Sequence, residues 1–201
     1  FLEGRKLFYG SVPFHWGVLF IFCGHLIAFL VPRTVLAWNS QPVRLLILEI
    51  SAFIFGISML VGLVNLFIRR YTTPRLYPVT NKMDFVVYVL LILQTFTGLW
   101  IAYNFRWGSS WFSTLLSPYL NSIFKLNPDI TAVVLLPWTV KLHIAGAFII
   151  IGILPFSRLI HMLVLPLNYI WRPYQQVMWY WDRKKVRNRK TPWSLQRPKN
   201  T

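Results

Sequence analysis

The 201 residues are 56% hydrophobic and only 13% charged, with a mean hydropathy of +0.51. A soluble domain carries about 25% charged residues, so this composition excludes a water-soluble core and points to an all-α integral membrane bundle. The net charge of +16 does not indicate nucleic acid, because nine of the 21 basic residues lie beyond Pro166, and a basic tail behind a membrane helix more often faces an anionic leaflet.

A short lead containing Arg5 and Lys6 precedes the first expected span, residues 12–32, which carries His15 and His25. Pro13 would sit in its first turn, where a missing N–H costs little. Cys23 lies in the same apolar run and reads as a small buried apolar residue. As the lone cysteine, it provides no disulfide framework and no covalent haem attachment motif. The second span, residues 44–68, offers Gly56, Ser58 and Gly62 for close helix contact. A basic loop, 69–82, leads to the third span, 84–103. The longest connection, 104–133, holds Trp107 and Trp111, which suit a membrane interface. The fourth apolar run, 134–165, is too long for one perpendicular span and must tilt or project. These four spans divide the chain into a membrane domain, 1–170, and a basic tail, 171–201. There is no repeat and no strand signal.

Fifteen basic residues fall on the side of the lead, the 69–82 loop and the tail, against four on the other side. Both termini are therefore expected in the cytoplasm, with the chain multi-pass in the inner (cytoplasmic) membrane.

All four histidines lie in spans, at depths where ionisable groups are functional candidates. His143 and His161 are 18 residues apart; on one continuous helix they would share a face, ~27 Å apart along the axis. His15 and His25 are ~15 Å apart and differ by about 280° around their helix. For antiparallel spans, pairing His15 with His161 and His25 with His143 leaves a total axial mismatch of ~12 Å, against ~42 Å for the crossed pairs. Two nitrogens on one iron stand roughly 4 Å apart, so only the first arrangement is feasible, with Pro155 available to kink the helix. Zinc would need further thiolates or carboxylates. Haem needs two axial ligands and an apolar slot, and the sequence offers that combination twice, giving two b-type haems with these four residues as iron ligands.

The same residues resemble the gamma subunit of respiratory nitrate reductase, a dihaem membrane cytochrome b. The resemblance lies in Phe14-His15-Trp16-Gly17-Val18-Leu19 with Gly24-His25, in Arg69-Arg70, Pro74-Arg75 and Asp84, and in Gln94 with Gly98-Leu99. It is closest in Leu142-His143, Pro155-Phe156-Ser157-Arg158-Leu159-Ile160-His161, Pro166 and Tyr169. The resemblance implies a subunit that oxidises quinol from the quinone pool in the lipid bilayer. It would pass electrons to an iron–sulfur subunit and then to a molybdenum catalytic subunit. His25 and His143 would hold the outer haem near the quinol, and His15 and His161 the inner haem facing the partner. The family carries a further helix before its first histidine segment, which is not seen in this chain, and a lysine near the outer haem roughly where Arg44 stands. Related gamma-type subunits serve nitrite oxidation and sulfur metabolism, so the sequence leaves terminal substrate and direction of electron flow open. A haem-free membrane anchor is the alternative from another class.

Other polar residues divide between roles. Arg44 suits a quinone oxygen or a haem propionate, or a snorkelling position at a helix start. Arg158, three residues before His161, suits an inner propionate or an ordinary helix end, and Lys141 near His143 has the same two readings. Arg69 and Arg70 read as topology determinants. Glu49 suits a proton acceptor for quinol oxidation or a helix-start carboxylate near Arg44. Trp16, Trp100 and Trp138 read as interface anchors.

Overall fold

The computed structural model describes residues 4–164; the tail expected over 171–201 lies outside the described residues. Four helices are long and apolar enough to cross a membrane, over Leu7–Leu30, Pro42–Thr72, Lys82–Asn104 and Trp138–Phe156. They belong to α1 (Gly4–Leu30), α3 (Pro42–Thr72), α4 (Lys82–Asn104) and α8 (Trp138–Ile153). Helix is the required solution, because hydrocarbon offers no partner for a free peptide group and a helix satisfies its own. A short helix, α2 (Pro32–Asn39), follows α1.

The long connection is itself helical. It comprises α5 (Gly108–Trp111), a π turn over Phe112–Leu116, α6 (Ser117–Phe124) and α7 (Thr131–Val134). Asn39 donates to the hydroxyls of Ser109 and Ser110, both at 3.0 Å, and so ties α2 to α5. The fully buried Ser117 donates to Ala28 O at 2.9 Å and ties α6 to the end of α1. Before α7, Asp129 Oδ1 accepts from the Thr131 N–H and hydroxyl, which holds its carboxyl below the usual range.

The tightest seam joins α1 to α3. A Cβ on Gly17 would stand 2.7 Å from Phe55 O, and one on Gly62 would stand 2.7 Å from Gly10 O. Small residues let two backbones approach this closely, and in a bilayer such packing replaces the hydrophobic drive that water would supply. The rings of Phe20 and Phe55 stack across the seam at 4.1 Å, and Leu63 on α3 is 1% exposed. α3 packs in turn on α4, and α4 on α8. The large apolar residues on the outer faces, Trp16, Trp100 and Trp138 among them, are exposed, as lipid-facing surfaces are.

Three expectations need correction. Pro13 is interior to α1, because the helix begins at Gly4 rather than near Val12. The Ser58 hydroxyl on α3 donates to Pro13 O at 3.3 Å and links the two helices at this level. Cys23 is exposed rather than buried, on an apolar surface that a weakly polar thiol can share. The fourth apolar run is not one helix. It stops at Ile153, passes through a 3-10 turn at Leu154–Phe156, opens to an extended residue at Ser157, and resumes as a 3-10 turn over Arg158–Met162. Pro155 has no N–H and its ring crowds the carbonyl one turn back. The Ser157 hydroxyl then accepts the Leu159 N–H at 3.2 Å and starts the next turn. His143 and His161 therefore stand on separate elements, and the shared-face argument does not apply to them.

Gly62→Val places side-chain atoms against the α1 backbone, which cannot yield as a flexible side chain would. Overpacking of this kind costs about 1–3 kcal/mol. The expected result is a lower thermal midpoint in detergent than for Gly152→Val, whose added Cβ meets nothing within 4 Å; equal midpoints would contradict the seam.

Candidate functional site

α1 supplies His15 and His25, α8 supplies His143, and the 3-10 turn after it supplies His161. The ring centroids of His15 and His161 are 6.4 Å apart. Two imidazoles on one iron need nitrogens roughly 4 Å apart and hence centroids roughly 6 Å apart, a separation close to the observed one. His25 makes its ring contact with Phe112 rather than with His143.

Each imidazole has its Nδ1 committed, and His143 has both ring nitrogens bonded. His15 Nδ1 donates to Ser11 O at 2.7 Å, His25 Nδ1 to Ile21 O at 2.8 Å, and His161 Nδ1 to Arg158 O at 2.6 Å. In His143 the partner is Thr97 Oγ1, at 2.9 Å. Because the Thr97 hydroxyl gives its own proton to Gln94 O at 3.1 Å, its oxygen receives the His143 Nδ1–H. Metal-bound histidines characteristically donate their second ring nitrogen in this way, which fixes the tautomer and raises the basicity of the other nitrogen. The lone pair is thereby left on Nε2 in all four rings. At His143 that lone pair accepts from Gln94 Nε2 at 3.2 Å, and the same amide donates to His143 O at 3.0 Å.

The surroundings also suit a flat group. A Cβ on Gly24, next to His25, would meet nothing within 4 Å. Gly98 lets the α4 backbone approach the His143 ring, where an added Cβ would be 3.0 Å from Cε1. Phe112 sets its ring edge-on to His25 at 5.3 Å. Among the described residues no three His, Cys, Asp or Glu side chains gather as a metal site. The candidate donors are imidazoles without thiolate or carboxylate among them, a set that suits haem better than a tetrahedral ion.

The remaining candidates are engaged elsewhere. Arg44 lies 5.0 Å over the Trp38 ring. Arg158 binds Asp84 Oδ1 through Nε at 3.0 Å and Val79 O through Nη2 at 2.8 Å. Glu49 accepts from the Ser109 N–H and hydroxyl at 3.0 and 2.7 Å. Lys141 donates to Val134 O at 2.8 Å. Thr97 escaped the sequence reading, although its place three residues after Gln94 and beside Gly98 puts it on the α4 surface facing His143.

The fold and these side chains define a multi-pass helical membrane protein in which the first span and the segment of the last bring histidines together. The family model for the nitrate reductase gamma subunit matches residues 1–180, and the chain belongs to that family. It is 30% identical over 176 residues to the nitrate reductase gamma chain of Bacillus subtilis, covering 86% of this chain and 79% of that one. The respiratory nitrate reductase 2 gamma chain of Escherichia coli is 28% identical, over 88% of this chain and 79% of its own. The nitrate reductase-like protein NarX of Mycobacterium tuberculosis is also 28% identical over 86% of this chain, which spans only 27% of that longer protein.

The tautomer assignment is checked by 15N NMR of histidine-labelled, haem-free protein in lipid. All four rings should show a protonated Nδ1 and a bare Nε2. Thr97→Val should mix the tautomers of His143 alone, and a protonated Nε2 on His15 or His161 would contradict the assignment.

Proposed function

We propose that this chain is the membrane-embedded electron-transfer subunit of a nitrate reductase-type complex, using two b haems to carry electrons from quinol towards an iron–sulfur subunit and a molybdenum catalytic subunit. The observation that carries the reading is the 6.4 Å approach of the His15 and His161 rings, each with Nδ1 already bonded to its own backbone. Family membership supports the same reading.

When bound, a b haem supplies a one-electron couple whose potential is set by its axial ligands and their hydrogen bonds. The residues of this chain do the rest. His15 and His161 would hold the inner site and His25 and His143 the outer one, each through Nε2; at His143 the Gln94 amide bonded to Nε2 would have to turn away. Thr97 orients His143. Arg44 stands at the start of α3 on the outer side, close to where a quinol head group would bind, and Trp38 holds it. Arg158 lies on the inner side. Residues 1–170 make up the membrane domain and 171–201 a cytoplasmic tail, with both termini inside, in keeping with the distribution of basic residues.

A reduced-minus-oxidised visible spectrum of the purified complex, with a haem count, tests this. Two b haems per chain, reduced by a quinol analogue, are expected. His143→Ala and His161→Ala should each leave one, and they should leave different ones. A complex without haem would sink the reading and leave a structural membrane anchor.

A further inference from the structure

We propose that Asp84 is a positioning residue for His161, acting through Arg158; this rests on reading His15 and His161 as the ligands of one haem. The break after Ile153 takes His161 off α8 and puts it on a 3-10 turn of five residues, Arg158–Met162. Short 3-10 turns have poor hydrogen-bond geometry and do little to fix a side chain. The ligand therefore needs an external brace.

That brace starts at the N-terminus of α4. Asp84 is 8% exposed, and its Oδ2 accepts the Asn81 N–H at 3.0 Å within a capping box. The same oxygen binds Arg70 Nη2, which also donates to Val79 O at 3.0 Å. Asp84 is thus fixed by α3 and by its own helix end before it meets Arg158. The second oxygen, Oδ1, takes Arg158 Nε at 3.0 Å, while Arg158 Nη2 reaches Val79 O at 2.8 Å. A guanidinium held at two points has a fixed plane, which a lysine cannot reproduce. The Arg158 carbonyl in turn accepts His161 Nδ1–H at 2.6 Å. The bonds run Asp84 to Arg158 to His161, and the His161 ring faces His15.

None of these groups bonds His143, which is held by Gln94 and Thr97. The Arg158 side chain is 66% exposed, and an ion pair with an exposed partner adds little to overall stability. Cutting the link at Arg158 should therefore move one histidine pair without unfolding the bundle, whereas Asp84→Asn also takes the partner of the largely buried Arg70.

The experiment uses the intact complex in membranes and two variants. Asp84→Asn removes the charge that holds Arg158. Arg158→Lys keeps a positive charge but not the two-point grip. The readouts are the low-spin ferric EPR signals and a potentiometric haem titration, with His143→Ala and His161→Ala assigning each signal to its pair. In both variants the signal and midpoint potential of the His15/His161 haem should shift, with those of the His25/His143 haem at wild-type values, and Asp84→Glu should restore part of the shift. Asp84→Asn with both haems at wild-type values would overturn the proposal, as would equal shifts of both. So would a shift in Arg158→Lys with none in Asp84→Asn, which would place Arg158 on the haem itself. If Asp84→Asn does not assemble, Arg158→Lys decides alone: a selective shift supports the proposal and silence overturns it. Wild-type complex lacking two haems would fail the electron-transfer reading first, and this proposal with it.

Discussion

An imidazole at bilayer depth has two nitrogens to satisfy and no water to satisfy them. Here each histidine commits Nδ1 to an oxygen, in three cases a backbone carbonyl three or four residues earlier in its own turn. This bond does several things at once. It removes one desolvated donor, sets the tautomer, and aims a basic Nε2 away from the helix that carries it. A polar residue that would otherwise oppose insertion is left with a single directed lone pair. Everything else in the fold serves to bring four such nitrogens to useful places.

The way the bundle does this follows from packing in lipid. Glycines draw α1 against α3 until backbone meets side chain and backbone, which fixes the rotation of α1 about its own axis and so the directions of His15 and His25. α4 takes the same part for α8. Gly98 admits the His143 ring, and Gln94 and Thr97 bond it. The two long histidine-bearing helices are thus each packed against a helix of the middle of the chain, α1 on α3 and α8 on α4. The short helices after α4 close one end, with Asn39, Glu49 and Ser117 supplying the polar links.

Much of this was legible in the sequence, because hydropathy alone marks apolar runs of span length and the histidines fall only within them. The span boundaries came within a few residues for α3 and α4. The α1 start was missed because Gly4–Gly10 is aromatic and basic, a composition that reads as an interface lead yet continues a helix without difficulty. The break after Ile153 was anticipated only as a kink, since a proline does not announce whether the helix recovers beyond it; the extended Ser157 decides that it does not. The partners of Arg158 were not legible, because Asp84 is 74 residues away in the chain and only tertiary structure makes them neighbours. The role of Thr97 depends likewise on which face of α4 meets α8.

The interruption at Leu154–Ser157 has a mechanical side. Had the last apolar run been one rod, any tilt of α8 would have been carried along it and would have displaced its two histidines together, one at each end of the lever. With the backbone extended at Ser157, bending is taken up at the joint. The segment carrying His161 answers to its own anchorage and the segment carrying His143 to α4. Two histidines drawn from one stretch of chain can then be adjusted independently, so sequence changes near one need not disturb the geometry of the other.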